Sequence, residues 1–192
     1  MILAIDPGPE QSAWLTFSHG RPVDYGIATN HDVLGLISGQ AYHVKALAVE
    51  SIASYGMPVG AEVFETCVWS GRFIQRYLDL RYRTQTGGGR IHRVYRREVK
   101  LHLCDSARAK DANVRQALID RYGGKDVAIG RKASPGPLYG IKSHLWSALA
   151  VAVTVADNED GPPESDPSER PPRSNHSAEP TGLSAGREGA QE

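Results

Sequence analysis

Two acidic residues stand where apolar runs stop. Asp6 closes the first run of "MILAIDPGPEQSAWLTF" and is followed at once by Pro7-Gly8, and Glu50 closes the run in "KALAVES". If those runs are neighbouring strands, two like charges face each other in a partly desolvated place. That arrangement costs free energy unless a proton or a cation lies between them. Oxygen-only ligands select a hard cation, Mg²⁺ or Mn²⁺. An aspartate before Pro-Gly is, taken alone, an ordinary turn residue. An acid at a strand end, taken alone, faces solvent. The two together, each directly after residues that a sheet would bury, point to a site.

The elements that must position them can be read along the chain. Residues 1–6, 12–17 ("SAWLTF") and 22–28 ("PVDYGIA"), with a turn at 18–20, predict an antiparallel meander. A short helix over 30–39 takes Asn30 as its cap. Residues 44–51 predict a strand whose apolar centre is covered on both faces. Helical periodicity over 61–83 places Val63, Cys67 and Ile74 on the buried side, with Phe64, Val68 and Tyr77 close to it. A strand over 91–96, helices over 97–104 and 110–124, and a last apolar helix over 140–157 complete the order. This order predicts an α/β fold with a mixed sheet in which the first and fourth strands lie parallel. Asp6 and Glu50 then share the carboxyl edge, where such sheets place ligands.

The formal charge of zero hides an asymmetry. Residues 1–156 carry 19 Lys+Arg against 13 Asp+Glu, whereas residues 157–192 carry 3 against 9. The stretch 157–192 is rich in Pro, Ser, Gly and acid and predicts a disordered tail after one domain over 1–156. No apolar run approaches the roughly 18 residues of a membrane span, and the N-terminus does not read as a signal peptide. Cys67 and Cys104 read as half-buried thiols in a reducing compartment, so the expected location is cytoplasmic.

Four segments carry a resemblance. "ILAIDPG", "ALAVES", "SARAKDANVRQALIDRYGG" and "SHLWSALAVAV" resemble, in order and at fitting distances over about 1–156, the motifs of RuvC-type Holliday-junction resolvases, nearest to phage-type members. The resemblance implies a ribonuclease H-like mixed five-stranded sheet flanked by helices. It implies a metal-dependent endonuclease that cuts branched DNA as a homodimer. Asp6 and Glu50 match the first two metal-binding acids, and His144 the first position of the last motif. Ser147 stands where the family has an aspartate, and a serine hydroxyl is a poor Mg²⁺ ligand. Asp111, which opens a predicted helix, is the candidate replacement acid; its alternative is an acid favoured by the helix dipole. His144 would bind an ion, contact the scissile phosphate or position the attacking water. Its alternative is a histidine at a helix start, satisfied by backbone.

DNA binding requires positive charge near that edge. Residues 72–115 hold 12 Lys+Arg against 4 Asp+Glu, ten of the twelve being arginine. Arg72, Arg76, Arg93, Arg96, Arg97, Lys100, Arg108, Lys110 and Arg115 are the candidate phosphate contacts. Tyr77, Tyr82 and Tyr95 are interleaved with them as candidate stacking groups. The bland alternative is a solvated basic face. Phe64, Val68 and Trp69 are candidates for a dimer interface, with core packing as the alternative. "TGGGR" lacks the spacing of a phosphate loop, so no nucleotide cofactor is expected. A junction-binding protein of the same fold with little catalysis is the second reading, favoured by Ser147. An actin-like ATPase, the third, needs a longer chain and a second phosphate loop.

Overall fold

The computed structural model of the chain describes residues 1–40, 43–54, 56, 58–84 and 89–160. Three strands, β1 (Ile2–Asp6), β2 (Gln11–Ser18) and β3 (Arg21–Thr29), form the meander. His19 and Gly20 both take positive φ (50° and 74°) between the paired residues Ser18 and Arg21, the two-residue turn that matches strand twist. Helix α1 (Asn30–Gln40) then leads to β4 (Ala46–Ser51), α2 (Ala61–Arg83) and β5 (Arg90–Tyr95). Helices α3 (Arg96–Cys104), α4 (Asp111–Arg121) and α5 (Lys125–Ala128), a two-residue hairpin of β6 (Gly130–Arg131) and β7 (Ser134–Pro135), and α6 (Leu145–Asp160) follow.

The main sheet runs β3-β2-β1-β4-β5, antiparallel over the meander and parallel from β1 through β5. This is the mixed five-stranded α/β architecture expected from the order of elements. Alternation along the central strands divides the core. Leu3, Ile5, Leu47 and Val49 face α1 and α2, where Val33, Ile37, Trp69, Phe73 and Tyr77 bury them. Ile2, Ala4, Ala46 and Ala48 face the other way, onto Ala148, Leu149, Val151 and Ala152 of α6, with Val114 and Leu118 of α4 in the same cluster. The three alanines on the strands let α6 lie close to the sheet. Among the described residues no helix is long and apolar enough to cross a membrane.

Several expectations change. The buried side of α2 is Thr66, Trp69, Phe73 and Tyr77, one position out of phase with the expected one. Cys67 is exposed, as are Phe64 (62 %) and Val68 (49 %). The large rings at 69, 73 and 77 bury the most area, so they set the helix's rotation against the sheet. Tyr77 is therefore a core residue, its hydroxyl donating to the Val44 carbonyl at 3.2 Å, and not a stacking group. The cap of α1 is Thr29, whose Oγ1 accepts the Asp32 N–H at 3.2 Å. The last helix starts at Leu145 rather than 140, because Gly140 and Ser143 hold positive φ (88° and 47°). It also runs to Asp160, so the expected tail boundary at 157 falls inside a helical turn. There Asp157 accepts two bonds from Arg121 (2.7 and 2.6 Å), and Glu159 binds Arg90 and His92. The rest of that tail, 161–192, and most of the "TGGG" turn lie outside the described residues.

Candidate metal centre and nucleic-acid interface

Register decides how the two acids meet. β1 and β4 pair in parallel through Ile5–Val49, so Asp6 and Glu50 are the next residues of the ladder at its carboxyl end. Residues two apart share a face. Asp6 follows Ile2 and Ala4, and Glu50 follows Ala46 and Ala48, so both acids project onto the α6 side. Glu50 is flanked on its other side by Val94 of β5. Both are withdrawn from water, with side-chain exposures of 14 % for Asp6 and 10 % for Glu50.

The chain leaving Asp6 is clamped. A Cβ on Gly8 would lie 2.4 Å from the Gln11 carbonyl oxygen, so this turn admits only glycine. Asn30, 1 % exposed, donates from Nδ2 to the carbonyls of Gly8 (3.0 Å) and Pro9 (3.2 Å). Its Oδ1 accepts from Ser12 Oγ at 2.6 Å, and Ser12 Oγ accepts the Gly8 N–H at 3.3 Å. Sequence reading took Asn30 for a helix cap. Its side chain instead ties the start of α1 to the turn that aims Asp6.

On the α6 side, Asp6 Oδ2 and His144 Nδ1 lie 3.1 Å apart. His144 is the residue before Leu145, and its carbonyl accepts the N–H groups of Ser147 (3.0 Å) and Ala148 (3.1 Å), which fixes its backbone. Its ring is 73 % exposed. Burial pushes the Asp6 carboxyl up to about 7, the Glu50 charge adds to the rise, and His144 opposes it.

Glu50 has a different surrounding. Its Oε1 accepts from Arg96 Nη1 at 2.7 Å, and its Oε2 is buried with no hydrogen-bond partner among the described residues. Arg96 is the first residue of α3, directly after β5, so the strand that flanks Glu50 delivers the guanidinium to it. The same Nη1 donates to Ser147 Oγ at 3.1 Å, and Nη2 binds Asp111 Oδ2 at 2.8 Å. Burial works against the Arg96 charge, but the bonds to Asp111 and Glu50 hold its pKa above even the ordinary arginine value. The Arg96 hydrogen bond, against some burial, lowers the Asp111 carboxyl. Asp111 thus reaches the site only through Arg96. Nothing in the sequence pattern marked Arg96 out from its neighbouring arginines.

The basic residues do not form one surface. Arg72 and Arg76 lie on α2, which covers one face of the sheet; Arg72 stacks on Trp69 at 4.7 Å, and Arg76 Nε donates to Ser38 Oγ at 2.9 Å. Lys100 and Arg115 lie on α3 and α4, which pack with α6 against the other face. Lys100 Nζ is 3.8 Å from Asp111 Oδ1, and Arg115 stacks on Trp146 at 4.9 Å. Arg93, Arg97, Arg108 and Lys110 are exposed. Of the candidates, Arg96 and Lys100 line the pocket beside Glu50, and Arg115 stacks on Trp146 at its wall. The Asp6 side opens into a groove of about 700 Å³ shared with His144, Glu10 and Glu62.

Among the described residues, no three His, Cys, Asp or Glu side chains gather as a metal cage. Mg²⁺ does not need one: it is commonly held by one or two carboxylates plus waters and phosphate oxygens. The Asp6–Glu50 pair fits that pattern. The donors are all oxygen, burial and the Glu50 charge both raise the Asp6 carboxyl, and among the described residues no donor reaches the buried Glu50 Oε2.

No protein-family model matches the chain, and no curated protein matches it. Solved structures do. The Thermus thermophilus RuvC structure aligns at TM-score 0.51 with 19 % identity, covering 81 % of this chain and 92 % of that one. T. thermophilus RuvC in complex with Holliday junction substrate aligns at TM-score 0.54 with 18 % identity, covering 82 % and 93 %. The fold is therefore RuvC-like, of the ribonuclease H-like type.

Proposed function

We propose that this chain is a divalent-metal-dependent, structure-selective endonuclease that cuts branched DNA such as four-way junctions, acting as a homodimer. One observation carries the reading: Asp6 and Glu50 end adjacent parallel strands on the same face, and among the described residues no group donates a hydrogen bond to the buried Glu50 Oε2. The RuvC-like fold supports the choice of substrate, since a RuvC of that fold is known with a Holliday junction bound.

Asp6 and Glu50 would hold Mg²⁺ or Mn²⁺, which supplies an acidified water and neutralises phosphate charge. The chain's own groups do the rest. With Asp6 ionised, His144 Nδ1–H donates to Asp6 Oδ2. This fixes the ring and leaves Nε2 toward the groove, able to accept a proton from a water or to contact a phosphate. Arg96 Nη1 holds Glu50 Oε1 in place through the 2.7 Å bond. Lys100, Arg115 and the exposed Arg97, Arg108 and Lys110 offer phosphate contacts on the α3–α4 side, whereas Arg93 of β5, in register with Val49, lies on the α2 face. Arg72 and Arg76 belong to the opposite face. Phe64 and Val68, exposed on α2, supply the apolar surface for the second protomer. Free Cys67 and Cys104 fit a cytoplasmic location.

The test incubates purified protein with a labelled four-way junction and Mg²⁺ or Mn²⁺, beside an Asp6→Asn variant. Cleavage by the parent alone supports the nuclease. A second reading, a junction-binding protein with little catalysis, draws on the serine at 147 and on Arg96 lying against Glu50. It predicts tight, metal-independent binding by both proteins and no cut by either.

A further inference from the structure

Two-ion phosphodiester chemistry places cations about 3.5–4 Å apart, clamping both the attacking and the leaving oxygen. Here the two oxygens of Glu50 have different fates. Oε2 is buried and receives no hydrogen bond among the described residues, whereas Oε1 is bound by Arg96 Nη1 at 2.7 Å. The same guanidinium takes Ser147 Oγ at 3.1 Å and Asp111 Oδ2 at 2.8 Å, so it collects the oxygens available beyond Glu50. Arginine suits this place. It is always charged, and its fixed fork binds several oxygens at once. Its side chain is 44 % exposed, so the head group stays in reach of a phosphate as well as of Glu50.

We infer that Arg96 is a built-in replacement for the second metal ion, making this a site for one divalent ion plus one guanidinium. Asp6 and Glu50 would hold the divalent ion. Arg96 occupies the neighbouring cation position, where it stabilises charge on the scissile phosphate as a fixed group. Ser147 then accepts a hydrogen bond from Arg96 rather than serving as a weak metal ligand, and Asp111 anchors the guanidinium from α4. The two features that argued against catalysis become parts of one device.

This inference rests on the proposed metal site, and the experiment separates the two. The full chain is titrated with Mn²⁺ alone, with calorimetry giving the stoichiometry and electron paramagnetic resonance the spin state. The expected result is one ion per chain with an uncoupled Mn²⁺ signal, and loss of that ion in Asp6→Asn. The double variant Arg96→Met with Ser147→Asp removes the guanidinium and adds a carboxylate; it should bind two ions with a spin-coupled signal. Two coupled ions in the parent would overturn the role of Arg96 while leaving the metal site standing. No ion in the parent would overturn both. One ion in a double variant that circular dichroism shows to be folded would reduce Arg96 to a structural ion pair. Arg96→Lys, which keeps a charge but not the fork, should still bind one ion; two there would count against the inference.

Discussion

The two carboxylates are presented by the same device and live in opposite surroundings. Each ends a parallel strand, on the same face, after small buried residues. Asp6 looks into an open groove, with one exposed imidazole as its partner. Glu50 meets a hydrogen-bonded knot of Arg96, Ser147 and Asp111, already satisfied from within the chain. Backbone register brings two acids together at almost no cost in specification, but the charge that compensates each one comes from elsewhere in the chain. The open half is arranged for something that arrives from outside. The closed half already carries its cation.

The comparison breaks first at Asp6. Asp6→Asn should lower junction cleavage by about 10³-fold, the loss expected when several kcal/mol of transition-state charge stabilisation disappears. The same change should leave thermal stability equal or higher, because it removes one of two like charges buried together. Single-turnover kinetics beside a thermal melt measures both. Arg96→Met should do the reverse to stability. It strands Glu50 without its cation, and since Arg96 is partly exposed the cost should be about 1–3 kcal/mol, less than for a fully buried pair; urea denaturation reads it.

Asn30→Ala tests the turn that aims Asp6. It orphans the carbonyls of Gly8 and Pro9 and the Ser12 hydroxyl, so stability should fall by about 1–2 kcal/mol and cleavage should fall with metal affinity. If cleavage falls without any change in metal affinity, the clamp does not serve Asp6. The smallest effect lies far from the site, in the last turn of α6. Burial opposes the Asp157 charge, but Arg121 and His102 outweigh it and lower the carboxyl below its usual value. A depressed carboxyl adds stability above its unfolded pKa, the ordinary aspartate value of 3.8, and loses it as pH falls through the folded value. Asp157→Asn should therefore cost about 0.5–1 kcal/mol at pH 7 and nothing measurable near pH 2.

The open half was legible in the sequence because a strand is a local object. "ILAID" and "ALAVE" each announce an apolar run and the acid that ends it, and the parallel pairing follows from the order of elements. His144 was legible through the resemblance of "SHLWSAL" to a known motif, not through its chemistry. The closed half was not legible. Arg96 is one of ten arginines between 72 and 115, and only the turn from β5 into α3 separates it from Arg93 or Arg97. The division of the basic residues between two faces was hidden for a related reason: charge along a sequence says nothing of which side of a sheet its helix covers. In α2, three aromatic rings fixed the rotation, where counting apolar letters put the buried stripe one residue away. The kink before α6 escaped because Ser143 takes a positive φ that no local residue preference announces.

The central claim is that Asp6 and Glu50 together bind a divalent ion. Anomalous diffraction at the manganese edge, from crystals of the full chain soaked in Mn²⁺, tests it most directly. The account predicts a peak about 2.1 Å from a carboxylate oxygen of each residue, at the distance of hard-cation coordination. A map with no peak there, or a manganese ion bound only elsewhere on the surface, would contradict it.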